Sequence, residues 1–176
     1  MERYRDGDAG AFDTLYGRHK GGVFRYLARQ CGNHGIAEEL FQDVWMNLIR
    51  ARASYTVQAR FTTYLYRLAH NRLIDYYRSQ SGNAPVSFDD EHGPSLDAVA
   101  AARNHDPAVG ADLRQQAQRM LQLIENLPAA QREAFLLQQE SDMSIEEIAQ
   151  ATGVSRETAK SRLRYALVKL REGMQQ

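Results

Sequence analysis

Apolar positions in the first eighty residues recur at three- and four-residue spacing in three stretches. Phe12, Leu15, Tyr16, His19, Val23 and Leu27 make the first stripe, which Gly21 and Gly22 weaken. Ala37, Leu40, Phe41, Val44, Trp45 and Leu48 make a second, stronger one, and Phe61, Leu65, Leu68, Ala69, Arg72 and Tyr76 a third. Three amphipathic helices of this kind can enclose a small core. The pattern then stops. From Ser79 the chain carries breakers, small polar residues and acids without periodicity, which reads as a linker to about residue 112, with a short helical piece around the alanines at 98, 100, 101 and 102. Helical spacing resumes at Leu113, Ala117, Met120, Leu121 and Ile124. Asn126, Leu127 and Pro128 end that helix and open another, with Pro128 at its first position, continuing through Ala130, Ala134, Phe135 and Leu137 to about Gln139. The expectation is an all-α chain of two small helical domains, 1–80 and 113–176, joined by a flexible acidic linker over 81–112.

The last third holds a more specific pattern. Ser144-Ile-Glu-Glu147 is a capping box ahead of a short helix with Ile145, Ile148 and Ala149 on its apolar face. Thr152-Gly153-Val154 makes a tight turn, and Ser155 caps a second helix running to about Arg171. A short helix, a glycine turn and a longer basic helix are what a DNA-reading helix-turn-helix requires. At about 100° per residue, Ala159, Leu163, Ala166 and Leu170 line the core side. Opposite lie Glu157, Lys160, Ser161, Arg164 and Tyr165, a set suited to reading base edges in a major groove. Arg156 sits at the helix start, while Arg162 and Lys169 flank the core side, where phosphate contact is expected. A basic helix taken alone is more often a solvated face; the capped helix and the turn in register favour DNA.

Charge refines the picture. The chain has 22 basic and 22 acidic residues, which argues against indiscriminate nucleic-acid binding. Residues 1–80 hold 12 basic against 8 acidic (+4), residues 81–112 hold Arg103 against six acids (−5), and residues 113–176 hold nine against eight (+1). Within 155–171, six basic residues stand beside Glu157 alone. Neutrality thus hides a basic helix and an acidic connector. The charged start, the single cysteine (Cys31) and the lack of a long apolar run predict a cytoplasmic chain with no leader and no membrane span.

Two features of the first half suggest contacts. On the outer side of the second stripe, Met46 and Ile49 stand among Glu39, Gln42, Asp43 and Arg50, which fits either a protein contact or a helix buried on two sides. Over 55–78, aromatics at Tyr55, Phe61, Tyr64, Tyr66, Tyr76 and Tyr77 interleave with Arg60, Arg67, Arg72 and Arg78. Such interleaving suits unpaired bases stacked along a phosphate backbone, although about half of these rings are needed for the core. Periodicity turns Arg67, His70, Asn71, Ile74 and Arg78 outward, with Tyr64 and Asp75 at the margin.

The segments Ala37-Glu-Glu-Leu-Phe-Gln-Asp-Val-Trp45, Phe61-Thr-Thr-Tyr-Leu-Tyr-Arg-Leu-Ala-His-Asn71 and Asp75-Tyr-Tyr-Arg78 resemble the sigma-2 domain of the extracytoplasmic-function (ECF) group of the sigma-70 family. Leu127-Pro-Ala-Ala-Gln-Arg-Glu-Ala-Phe135, Ser144-Ile-Glu-Glu-Ile-Ala149 and Gly153-Val-Ser-Arg-Glu-Thr-Ala-Lys-Ser-Arg-Leu-Arg164 resemble its sigma-4 domain, and Gly7-Asp-Ala-Gly-Ala-Phe12 is similar to the usual opening. The resemblance spans nearly all of the chain except the linker and implies a sigma-2-like bundle and a sigma-4-like helix-turn-helix. It implies that Glu38, Glu39, Gln42, Asp43 and Met46 dock on the β′ clamp helices of core RNA polymerase, with the β flap a further contact. It implies a −10 element site at Tyr55, Arg60, Phe61, Tyr64, Arg67, Asn71, Asp75 and Arg78, in which the loop from Tyr55 to Arg60 captures a flipped base. Extrusion costs a few kcal/mol, which stacking at roughly 1–3 kcal/mol per base offsets. Arg156, Glu157, Lys160, Ser161, Arg164 and Tyr165 would read the −35 element as duplex, and the acidic linker would thread the polymerase where nascent RNA later passes. An anti-sigma factor is the usual further partner. The double glycine at 21–22 and the sparsely charged loop at 54–59 depart from the family pattern.

Other readings fit less well. A one-component helix-turn-helix regulator or a quorum-type response regulator needs a ligand domain or a receiver, and eighty helical residues offer neither. An enzyme would need a nucleophile motif, a phosphate loop or a metal site; Cys31-Gly-Asn-His34 is at most half of one. No cofactor and no metal are expected. Free protein is expected to bind promoter DNA weakly, because its net charge is zero and its two DNA surfaces are tethered flexibly.

Overall fold

The computed structural model describes residues 1–80 and 111–175. The expected linker, with its helical piece, lies outside the described residues except for 111 and 112, which open a helix. All regular structure among the described residues is helical. A short α1 (Glu2–Arg5) precedes α2 (Ala9–Cys31), α3 (His34–Arg50) and, after a 3-10 turn at Arg52–Ser54, α4 (Phe61–Gln80). The second half comprises α5 (Ala111–Glu125), α6 (Ala129–Ser141), α7 (Ile145–Thr152) and α8 (Arg156–Gln175).

Local chemistry sets these bounds. The Asp8 side chain accepts from the Ala11 amide to start α2, and Asn33 accepts from Ile36 to start α3. Helix α2 runs unbroken through Gly21 and Gly22, where the sequence pattern is weakest. Pro128 precedes the first helical residue of α6 and does not occupy it, so its carbonyl can accept from the Arg132 amide at 2.9 Å. The capping box before α7 is complete: Ser144 Oγ accepts from the Glu147 amide, and the Glu147 carboxylate accepts from the Ser144 amide at 2.9 Å. Gly153 ends α7 at φ 71°, a left-handed conformation that costs a Cβ-free residue nothing. The Val154 amide then donates to the Ala149 carbonyl at 3.1 Å and sets the turn angle.

The first half packs Val23, Tyr26 and Leu27 of α2 against Ala37, Leu40, Val44, Trp45 and Leu48 of α3 and Leu65, Tyr66, Ala69 and Leu73 of α4. The first two stripes match the sequence pattern. The third holds at Leu65 and Ala69 but shifts around them, with Tyr66 and Leu73 also fully buried and Leu68 and Arg72 only half-buried. The second half closes Ile124, Phe135, Leu136, Leu137 and Ile148 around Ala159, Leu163, Ala166 and Leu170, the four residues assigned to the inner side of α8.

The two halves do not stand apart on a tether. Helix α2 packs on α6 and α4 packs on α7, so that one apolar cluster runs through both. Ion pairs bridge the junction: Arg25 grips Glu140 through Nε and Nη2 at 2.9 and 2.6 Å, Arg29 lies 3.6 Å from the same carboxylate, and Arg60 pairs with Glu147 at 3.2 Å.

The capping box yields two expectations. Ser144→Ala should cost about 1 kcal/mol in urea unfolding, as N-cap truncations do. Burial alone would raise the Glu147 carboxyl, but the Ser144 amide and Arg60 outweigh it and hold it below its ordinary 4.5. Its contribution is therefore present above pH 4.5 and lost as pH falls through the lower folded-state value. Glu147→Gln keeps an acceptor for the cap and should flatten the acid limb of a stability-versus-pH curve relative to wild type; an unchanged limb would show that the carboxylate contributes nothing there.

Candidate nucleic-acid interface

In α8 the residues that must face inward leave a second face free. Glu157, Lys160, Arg164 and Tyr165 are exposed, and Ser161 is half-buried beside them. The Arg164 guanidinium lies 5.0 Å from the centre of the Tyr165 ring, which holds both side chains outward. Arg156, at the helix start, is engaged by Glu146 of α7 at 2.5 Å and by Glu157 at 3.4 Å. The first of these pairs keeps the Glu146 carboxyl below its ordinary range and ties the two helices of the motif together. Ser155 Oγ accepts from the Thr158 amide, so α8 begins with a satisfied cap and a polar rim. Leu167 and Val168 are also exposed, an apolar pair beside the basic face that helical periodicity leaves unassigned.

The second candidate surface is built on α4 and the loop before it. Ala51, Ser54, Tyr55, Thr56, Gln58, Ala59, Thr63, Tyr64 and Arg67, with Gln150 of α7, enclose a cavity of about 220 Å³. Tyr55 is only 7% exposed; its ring meets Tyr64 edge to face at 5.1 Å, and its carbonyl accepts from Arg5. It is a wall of this cavity, not a free stacking platform. Phe61 is half-buried, 5.3 Å from the His19 ring. Further along α4, Arg67, Asn71, Asp75 and Arg78 are exposed on one side of the helix. Arg72 reaches back to Asp43 of α3 at 2.5 Å and to Asp75 at 3.7 Å, fixing α4 against α3. His70 departs from its expected outward position: Nδ1 lies 2.7 Å from Glu133 of α6, and the side chain is 13% exposed.

The third surface is the outer face of α3. Glu38, Glu39 and Gln42 are exposed, Asp43 is half-buried in its pair with Arg72, and Met46 and Ile49 are 45% and 37% exposed. Between the two readings of this helix, the structure selects the uncovered one. Cys31 and His34 are spent elsewhere: the buried thiol donates to the Leu27 carbonyl at 3.0 Å, burial pushes its pKa up, and His34 lies 3.3 Å from Glu38.

Sequence reasoning missed the buried polar network between the halves. Glu133 and Arg132, inside the alanine-rich α6, are 1% and 3% exposed. Burial lowers the Arg132 pKa; its guanidinium donates to the Glu125 carbonyl at 2.7 Å and to Gln30 of α2. The available signal was an adjacent charged pair between Ala130 and Ala134, where the apolar stripe alone defines a core face.

Comparison with known proteins places both halves. Residues 15–82 match the model of sigma-70 region 2, and residues 117–170 match that of sigma-70 region 4. The chain is 35% identical over 173 residues to the RNA polymerase sigma factor CarQ of Myxococcus xanthus, covering 98% of this chain and 94% of that protein. It is 28% identical to an ECF RNA polymerase sigma-E factor of Haemophilus influenzae, covering 93% and 87%. Among solved structures, the sigma factor RpoE in complex with the anti-sigma factor NepR from Bartonella quintana superimposes with a TM-score of 0.73 at 22% identity, over 94% of this chain and 97% of that one.

Proposed function

The chain belongs to the extracytoplasmic-function group of sigma-70 family factors, which direct core RNA polymerase to specific promoters and help melt them, and from that premise we propose how its surfaces divide the work. The observation that carries the proposal is the exposed outer face of α8, presented by a fully capped helix-turn-helix. Lys160, Arg164 and Tyr165 read base edges of a −35 element, with Glu157 and Ser161 beside them and Arg156 at the phosphate side. The cavity under Tyr55 and Tyr64 receives an unpaired base of the −10 element, with Arg60 and Phe61 at its entrance. Arg67, Asn71, Asp75 and Arg78 track the adjoining strand along α4. The acidic face of α3, from Glu38 and Glu39 through Gln42 and Asp43 to Met46, docks on the clamp helices of the polymerase.

The work is non-enzymatic. Promoter opening draws on binding energy alone, since capture of an extruded base offsets the cost of unstacking it. In this reading the chain works in the cytoplasm, beside the polymerase it serves. Among the described residues no helix is long and apolar enough to cross a membrane. An anti-sigma protein is a further partner by analogy with the fold shared with the Bartonella factor. A stand-alone regulator would not need a second, sigma-2-like half with its own cavity and acidic face.

Two measurements test the division. Arg164→Ala and Lys160→Ala should each lower −35-dependent transcription about tenfold, at roughly 1–3 kcal/mol per good base contact, while binding to core polymerase is retained. Normal transcription by both variants would remove α8 from base reading. Reversal of Glu39 and Asp43 to Lys should weaken core binding without changing duplex DNA affinity. Asp43→Asn serves as the control for loss of the Arg72 pair.

A further inference from the structure

Helix α1 has four residues, too few for an isolated helix to persist in water. It lies ahead of the residues matched to sigma-70 region 2, and none of the surfaces assigned above includes it. Tertiary contacts hold it nevertheless. Arg3 pairs with Asp8 at 2.6 Å, the Asp8 amide donates to the Arg3 carbonyl at 2.9 Å, and the Asp8 side chain caps α2. The Tyr4 ring, 8% exposed, packs 5.2 Å from Phe12, which meets Trp45 of α3 edge to face at 5.9 Å. Helix α1 is thus fixed to the aromatic core of the first half.

What this fixed helix grips is the segment before α4. The Arg52 guanidinium, at the start of the 3-10 turn, lies 4.9 Å from the centre of the Tyr4 ring. Arg5 donates from Nη1 to the Tyr55 carbonyl at 3.4 Å. Asp6 accepts from Nε and Nη2 of the same guanidinium, at 2.8 and 3.3 Å, and so sets its direction. The chain is therefore held at the first residue of the turn and at the residue after it. Within the turn, the Ser54 and Tyr55 amides reach the Ala51 and Arg52 carbonyls at 3.2 and 3.4 Å, and no helix follows until Phe61.

Tyr55 consequently stands between two supports. Its ring meets Tyr64 on the cavity side, and its carbonyl meets Arg5 on the other. Thr56, Gln58 and Ala59, which continue the cavity wall, follow directly from it. A loop that must be ordered when its ligand arrives loses affinity to that ordering, whereas a loop already in place does not.

We propose that Tyr4 and Arg5 are positioning residues for the −10 base site: from α1 they brace the 3-10 turn and Tyr55, so that the cavity is formed before a base enters it. The proposal rests on the assignment of that cavity to an unpaired base. Both residues act through Arg52 and Tyr55 and not by touching the base. Their effect falls on one promoter position, which a general loss of stability would not do.

The test reconstitutes the full chain with core RNA polymerase and selects from fork-junction DNA randomised in its −35 duplex and its single-stranded −10 positions, with the bound fraction sequenced. Tyr64→Ala, in the cavity wall, should abolish the preference at one −10 position, which marks the captured base. Tyr4→Leu keeps an apolar side chain against Phe12 but removes the ring beside Arg52, and Arg5→Ala removes the donor to Tyr55. Each should flatten the preference at the captured position about tenfold, with −35 preferences and core binding at wild-type levels. Tyr4→Phe and Arg5→Lys, which keep the ring and a donor, should restore it. Circular dichroism checks that every variant folds. An unchanged preference in Tyr4→Leu and Arg5→Ala, with Tyr64→Ala defective, would overturn the bracing role alone. An equal loss at every position would mark α1 as a general support of the fold and overturn it too, as would failure of both conservative variants to restore the preference. If Tyr64→Ala flattens no position, the cavity is not a base site, and the proposal falls with that reading.

Discussion

Helix α6 has almost no side facing water. From Ala129 to Leu137 every residue except Gln131 is buried, because α8 packs on one side and α2 on the other. The rest of the structure depends on this double burial. The apolar residues of α6, Phe135 and Leu137 among them, share one cluster with α8 and α2, while Arg132 and Glu133 meet polar groups of the first half. A helix buried on one side alone would have left those charges in solvent. Their partners Gln30, Tyr26 and His70 would then need other means to satisfy themselves, since buried polar groups without partners are costly. The orientation of α7 against α4 follows from where α6 is held, because the left-handed Asp142 links α6 to the capping box before α7.

Much of this was legible in the sequence, and the parts that were not share a cause. The stripes of α2 and α3 and the inner face of α8 follow from periodicity, because each of those helices has one dominant buried side. Helix α4 defied the same reasoning. Periodicity gives the stripe Phe61, Leu65, Leu68, Ala69, Arg72 and Tyr76; Leu65 and Ala69 are fully buried, but so are Tyr66 and Leu73 outside it, while Leu68, Arg72 and Tyr76 are only half-buried. The reason is that α4 touches α2, α3 and α7 at once, so it has no single inner side for a period to reveal. His70, turned outward by the same count, is drawn in by a helix more than sixty residues further along the chain. The surfaces proposed to read −35 DNA and to bind polymerase are legible for the opposite reason: polar side chains kept at the surface announce themselves by their position on the wheel.

The double glycine shows how a local rule can hold and still mislead. Glycine weakens a helix interior by about 1 kcal/mol relative to alanine, and at Gly21 and Gly22 that cost is real. It is offset by tertiary structure, since the absent Cβ of Gly22 admits Tyr66 and the end of α6. A feature that looks like a defect in one helix is a fitting surface for another.

The composition of the joint explains why the packing of the halves is specific. Its apolar contribution is shared with the cores of both halves, but what distinguishes the closed arrangement from others is polar: Glu133 with Tyr26 and His70, Glu140 with Arg25 and Arg29, Glu147 with Arg60. Exposed pairs of this kind contribute little, typically 0–1 kcal/mol each, and the buried one repays its own desolvation only in part.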